Sequence, residues 1–274
     1  NIPCEIIVAD DASTRNECKQ KNRLINSLPH CTYIELEKNI GRASIRNLLA
    51  DKAQGEWLLF LDCDGMPLDD LFLKRYQQAI ANHTEADIIC GGIIHPKELP
   101  ASNMSLRYTY EKAAEKHHTA TKRNERPYAS FRTFNFMIRR KAFLQVKFDE
   151  TFHHYGYEDF VFGIEAEKLT TIKYINNPLI HKGLDENITF LEKTEKAIRN
   201  LWMLQTNNPD IQKRSQLLRT FFLLKKWHLE KFVAKFFGKW RSIITTNLTS
   251  KNPSLFLFSC YKIGLLCNIA QKSI

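Results

Sequence analysis

Apolar and polar positions follow two different periods along the first part of this 274-residue chain. Short, nearly continuous apolar runs rich in β-branched residues recur at 4–9 (CEIIVA), 32–36 (TYIEL), 57–61 (WLLFL) and 86–94 (ADIICGGII), the pattern of buried strands. Between them, 14–28, 41–53 and 68–83 read as helices, the first closed by Pro29 and the second ended near Gly55. Strand–helix alternation with short connections predicts an α/β layered domain with a mainly parallel sheet flanked by helices. Farther along, 105–118 predicts a helix and 132–140 (RTFNFMIRR) alternates as a strand. The stretch 158–169 opens a helix on two acids, which suits the helix dipole, and 171–176 predicts another strand. From about Asn187 the pattern is helical, so the expected division is an α/β domain over 1–187 and a C-terminal helical extension over 188–274.

Composition changes this picture in two places. The cysteines (Cys4, Cys18, Cys31, Cys63, Cys90, Cys260, Cys267) form no CxxC pair and no zinc spacing. Most sit in apolar segments and read as reduced core residues of a cytoplasmic protein. No run of about 18 uncharged apolar residues is present to span a bilayer. The chain opens at Asn1 almost directly on a strand, which reads as an N-terminally trimmed fragment.

Charge is uneven. The formal net charge is +10, yet residues 188–274 alone hold 15 Lys and Arg against 4 Asp and Glu. Within 217–246, Leu229, Phe232, Val233, Phe236, Phe237, Trp240, Ile243 and Ile244 recur at three- and four-residue steps among lysines. Two readings stand. This helix lies on an anionic membrane surface, or its apolar face packs on the α/β domain and the lysines form a solvated back. No nucleic-acid-binding motif accompanies the basicity, so no nucleic-acid partner is expected.

In parallel sheets ligands bind beyond the carboxyl ends of the strands. Asp10 and Asp11 end the first visible strand, and Asp62 and Asp64 end the third. The Asp62-Cys63-Asp64 group has three readings. It is a strand-ending turn in which Asp bonds its own backbone. Or it is a phosphotransfer nucleophile, since FLDCDG resembles the motif of the haloacid-dehalogenase-like phosphatases. Or it is a clamp that holds a divalent cation against a diphosphate.

The rest of the chain separates them. EIIVADDAS (5–13), NIGRASIRNLLADKAQGEWLLFLDCD (39–64), FNFMIRRKAFLQVKFDETFHHYGYEDFVFGIEAEKL (134–169) and NPLIHKG (177–183) occur in one order. They resemble the strand ending in Asp-Asp, the N-x-G-x-x-x-x-R-N helix with its D-x-D strand, the F-D-E and G-x-E-D block, and the downstream His of the family 2 glycosyltransferases. The phosphatase motif belongs near the start of its domain, whereas two strand–helix units precede it here.

The resemblance implies a GT-A fold, the nucleotide-diphospho-sugar transferase fold, lacking the family's first strand. It implies an inverting transfer from a UDP-linked sugar donor to a hydroxyl of a glycan or lipid-linked acceptor. Asp10 and Asp11 are then expected beside the nucleotide base, Arg46 at the donor nucleotide, and Asp62 at the ribose or the metal. Asp64, with His181, is expected at Mn²⁺ or Mg²⁺. Asp159 is the expected general base and Glu158 positions the acceptor. Gly65-Met66 stands where many relatives carry a further acidic or polar residue. The alternative activity is a catalytically inactive sugar-nucleotide-binding subunit.

Each residue also has a plainer reading. Asp10 or Asp11 caps the turn at Ser13, Arg46 is a surface helix residue, Glu158 and Asp159 only begin a helix, and His181 is a loop residue. His117, His118, His153 and His154 read as surface residues.

Overall fold

The structure, a computed structural model, describes residues 3–151 and 156–272. Strands β1 (Ile6–Asp10) and β2 (Cys31–Glu35) pair in parallel, joined through α1 (Asn16–Arg23) and a short 3-10 turn. Helix α2 (Gly41–Lys52) leads to β3 (Trp57–Leu61), which passes through Asp62–Asp64 into β4 (Gly65–Pro67). Then follow α3 (Phe72–Asn82), β5 (Ile88–Cys90), β6 (Ile93–Ile94), α4 (Ser105–Glu115) and α5 (Ala120–Glu125). Strand β7 (Asn135–Arg139), α6 (Arg140–Val146), α7 (Glu158–Leu169), β8 (Ile172–Tyr174) and β9 (Leu179–His181) complete the α/β part.

The central sheet has the order β3-β7-β5-β8. Three of its strands run one way and β7 is reversed, antiparallel to both β3 and β5. The sheet is therefore mixed rather than mainly parallel. The periodicity of 132–140 marked a strand but held no information on its direction. Its alternation does set the faces. Phe136 and Ile138 join Leu58, Phe60, Phe143 and Phe162 under α2, α6 and α7. Met137 points the other way, to Phe72, Tyr76 and Leu179.

The predicted strand 86–94 splits in two. Gly92 takes φ +96°, a conformation that favours glycine, and the chain leaves the central sheet after Cys90. Beyond the turn, β6 joins a second small sheet of order β4-β9-β6. Among the described residues the β1–β2 pair is joined to neither sheet by strand pairing. The cysteine expectation is corrected: only Cys90 and Cys267 are buried, and Cys4, Cys18 and Cys63 are exposed.

Among the described residues the C-terminal extension is five helices: α8 (Asn187–Asn207), α9 (Pro209–Arg214), α10 (Gln216–Lys226), α11 (Glu230–Leu248) and α12 (Leu255–Lys272). Their core, with Ile198, Leu201, Phe221, Phe237, Phe258 and Leu265, also takes in Leu106 of α4 and Ile164 of α7. The extension thus shares buried surface with the α/β part. Among the described residues no helix is long and apolar enough to cross a membrane.

The apolar face expected at 217–246 is broken by a turn at Trp227–Leu229, where His228 takes φ +56°. Within α11, Phe237 and Ile244 are buried, while Phe232, Phe236 and Ile243 remain exposed.

Candidate active site

Helix α2 organises the site. Gly41 begins it at φ +86°, and the N–H groups of Ile40 and Gly41 donate to the Asp11 carboxylate at 2.7 and 2.9 Å. These are donors that a helix start leaves without intrahelical partners. Asn39 donates to the Asp11 carbonyl at 2.9 Å, so the Asn-x-Gly segment is clasped to the end of β1. Asp10 accepts from the Ser13 N–H at 2.6 Å and from the Tyr33 hydroxyl at 3.0 Å. Both aspartates thus make structural hydrogen bonds at the sheet's edge, and Asp10 makes the Ser13 turn of its plainer reading.

One turn apart on α2, Arg42 and Arg46 reach two different acids. Arg46 is buried, not a surface residue, and its Nη2 lies 3.0 Å from Asp62 Oδ1. Its guanidinium also lies over the Phe148 ring at 5.6 Å. Arg42 Nη1 lies 3.4 Å from Glu158 Oε1. Asn47 then bonds both ways with the Phe148 backbone at 2.9 Å and donates to Glu150 at 2.7 Å. The R-N of the helix motif therefore holds the F-D-E segment, and the helix spans both acid pairs.

Asp64 sits where β3 gives way to β4. Gly65 is in register with His181 on β9, which brings His181 Nε2 to 3.1 Å from Asp64 Oδ2. The Lys182 N–H donates to the Asp64 carbonyl at 2.9 Å. Gly183 passes so close that an added Cβ would lie 2.1 Å from Asp64 Oδ2. Burial pushes the Asp64 carboxyl up, but the hydrogen bond and charge of His181 outweigh it and hold it below its ordinary value. His181 is a buried strand residue, not a loop residue. Its ring meets His95 edge-on at 5.7 Å and Phe134 at 4.9 Å, contacts that set its orientation. His95 is anchored in turn by Glu115 at 2.8 Å.

Asp64 and His181 could hold a divalent cation. Among the described residues no group of three or more His, Cys, Asp or Glu forms a closed cage. A half-site of one carboxylate and one imidazole fits an ion that takes its remaining ligands from substrate phosphates and water.

The second acid pair opens α7. Gly156 at φ +95° and Tyr157 at φ +72° are both left-handed, which for Tyr157 is a strained backbone of the kind that gathers at functional sites. Glu158 is buried, and its Oε2 has no hydrogen-bond partner among the described residues. Asp159 lines a cavity of about 340 Å³ with His118, Ala129, Phe131, Arg132, Tyr157 and Phe160. Burial and the neighbouring Glu158 charge push its carboxyl up to about 6, against the opposing charge of Arg132. Arg132 is itself held by Glu111 at 3.2 Å.

His118 corrects an expectation: it lines this cavity and is not a plain surface residue. Burial, with Arg132 and Arg123 nearby, pushes its imidazole down to about 4. His117 is exposed, and His153 and His154 lie outside the described residues. Arg42, His95, Glu111, His118 and Arg132 were not singled out by sequence. His95, Glu111, His118 and Arg132 converge on one small pocket and Arg42 reaches Glu158 from α2, with no shared motif to mark them.

A mixed α/β sheet with two acid pairs held at strand and helix ends is the architecture of a glycosyltransferase of the GT-A fold. The sequence pattern described as glycosyl transferase family 2 matches residues 1–146, more than half of the chain. The chain belongs to this family. A protein of Haemophilus influenzae described as an uncharacterized glycosyltransferase is 32% identical over 79 residues, 29% of this chain and 32% of that protein. The match thus spans about a third of that relative's length. The mannosyltransferase PcManGT from Pyrobaculum calidifontis, solved with GDP-Man and Mn²⁺, is similar in fold at a TM-score of 0.57 and 12% identity, over 98% of this chain and 77% of that one. Residues 1–349 of S. aureus TarS, solved with UDP, are similar at a TM-score of 0.51 and 16% identity, over 98% of this chain and 81% of that one.

Proposed function

We propose that this protein transfers a sugar from a UDP-linked donor to a hydroxyl of a glycan or lipid-linked acceptor, with inversion at the anomeric carbon. The observation that carries the reading is Asp159: a carboxyl pushed up to about 6, on the wall of a cavity of about 340 Å³. A base that titrates near the working pH takes up a proton effectively, and the cavity has room for a sugar ring. Tyr157, Phe160 and Phe131 offer aromatic faces to such a ring.

In this reading the acceptor hydroxyl lies against Asp159, which takes its proton as the oxygen attacks the anomeric carbon. Attack and departure occur on opposite faces of the sugar, so the configuration inverts. Glu158 positions the acceptor, and its Oε2, which has no hydrogen-bond partner among the described residues, accepts from a second hydroxyl. Asp64 and His181 would hold Mn²⁺ or Mg²⁺, which would supply positive charge against the leaving nucleoside diphosphate. Asp62, fixed by Arg46, faces the ribose, and Asp10 and Asp11 lie toward the base. The 1–187 region is the catalytic domain.

The test is a thermal-shift screen of the full-length chain with UDP-, GDP- and dTDP-sugars, with and without Mn²⁺, followed by turnover of the stabilising donor. Metal-dependent stabilisation by a UDP-sugar and a product of inverted configuration are expected. A product of retained configuration would overturn the single-base reading.

A further inference from the structure

We propose that helix α11 is an interfacial anchor whose outer face lies in the headgroup layer of an anionic phospholipid membrane. The proposal goes beyond the reading of the active site and stands independently of it.

The sequence shows one apolar face on this helix, and the structure divides it in two. The inner half is already occupied. Phe237 is 2% exposed, sits edge-on to Tyr261 at 5.4 Å, and faces Gly264 of α12. A Cβ on Gly264 would lie 2.5 Å from Phe237 Cγ, so the two helices pack as closely as side chains permit. Ala234, Ile244 and Leu248 complete that buried seam. Packing of the extension therefore does not use the other half.

The outer half is a row of large apolar side chains in water. Phe232 is 68% exposed, Phe236 53%, Trp240 39% and Ile243 61%. Positions 232, 236, 240 and 243 fall on one stripe of a helix. The rings follow one another along it, Phe232 to Phe236 at 6.5 Å and Phe236 to Trp240 at 5.8 Å, both stacked. Isolated exposed apolar residues need no explanation, but a continuous aromatic row does.

Charge selects what covers the row. Lys231, Lys235 and Lys239 are exposed, each one position before an aromatic, and form a second row beside the first. The Lys239 ammonium lies 6.0 Å from the Trp240 ring centre. Lys225 and Lys226, also exposed, end the preceding helix α10. Among the described residues no ion pair is formed by any of these five lysines. By contrast, Arg241 pairs with Glu195 at 2.6 Å. Residues 188–274 hold 15 basic against 4 acidic residues, so the region lacks acids to neutralise the row. A stripe of Phe and Trp flanked by long, unpaired lysines suits the boundary where acyl chains meet anionic headgroups: the rings enter the apolar layer and the ammonium groups stay with the phosphates.

The experiment is co-sedimentation of the full-length chain with vesicles of equal parts phosphatidylglycerol and phosphatidylcholine, and with vesicles of phosphatidylcholine alone. The wild-type chain is expected to sediment with the anionic vesicles only, and to be released as salt rises, because the attraction is screened. The triple variant Lys231→Glu, Lys235→Glu, Lys239→Glu should lose about fivefold or more in affinity per lysine. The triple variant Phe232→Ser, Phe236→Ser, Trp240→Ser should stay in the supernatant. Both variants should melt with the wild-type chain, because none of these side chains belongs to the buried seam. Absence of wild-type binding to anionic vesicles overturns the proposal. So does an aromatic variant that sediments as the wild type does, or a wild-type dimer in lipid-free solution that the aromatic variant dissolves, which would make a second copy the occupant.

Discussion

The two acid pairs of this protein contain the same chemistry and sit in opposite environments. Asp62 and Asp64 end a strand, and each has its own cationic or imidazole partner, Arg46 at 3.0 Å and His181 at 3.1 Å. Asp64 is held below the ordinary carboxylate range by that contact, in spite of burial. Glu158 and Asp159 begin a helix, adjacent to each other, and Asp159 is driven up to about 6 by burial and by its neighbour's charge. Asp64 is placed to remain ionised, which suits binding a cation. Asp159 is placed to exchange a proton near neutrality, which suits a base. Residue type does not separate Asp64 from Asp159; burial and the like charge of Glu158 prevail at Asp159, whereas the His181 hydrogen bond prevails at Asp64.

The largest effect is expected at Asp159. Asp159→Asn keeps the shape and cannot take a proton, so kcat should fall by about 10²–10⁴ with the donor's KM little changed. Near-normal turnover would move the base to Glu158. Next, Asp64→Ala should weaken UDP binding in the presence of Mn²⁺ by about a hundredfold and leave metal-free binding alone, read by calorimetry. Equal affinity with and without Mn²⁺ in the wild-type chain would remove the cation from the first pair. Gly183→Ala leaves every proposed ligand in place but drives a methyl group into Asp64. Metal-dependent UDP affinity should drop by about tenfold, and an unchanged value would show that the carboxylate is free to move.

Smaller effects sharpen the contrast. Asp159 is protonated below about 6, so turnover should decline as pH falls through that value. Glu158→Gln removes the neighbouring charge that helps raise Asp159, so this acid limb should move to lower pH. An unmoved limb would assign it to another group. Stability follows the same carboxyl with the opposite sign. Its folded value lies above the ordinary 3.8, so its favourable contribution is complete at pH below 3.8 and is lost as pH rises through about 6. Asp159→Asn should therefore melt higher than wild type at pH 7, with the advantage vanishing toward pH 4. A lower melting temperature at pH 7 would mean that the Asp159 carboxylate is compensated after all.

Much of this was legible in the chain itself. Apolar runs marked β1, β2, β3 and β7, because strand periodicity is local. The Asn39 to Asn47 segment and the Asp62-Cys63-Asp64 group marked a helix and a strand end that the structure brings together through Arg46. Glu158 and Asp159 were visible as two acids opening a helix. The short strand β9 was not predicted, since three residues carry too little period to detect.

Neighbouring residues alone mark β1, β2, β3 and β7, helix α2, and the acids that stand at the ends of β1 and β3 and at the start of α7. The sequence by itself also determined that the last third is basic. Long-range contacts set the reversed direction of β7, the β4–β9 register that brings His181 to Asp64, and the cavity that His118 and Arg132 share with Asp159. They also divide one apolar face of α11 into a buried seam and an exposed aromatic row. Each of these depends on partners distant along the chain. Strand direction, register and helix packing are chosen by the sum of many such contacts, and no local pattern carries that sum.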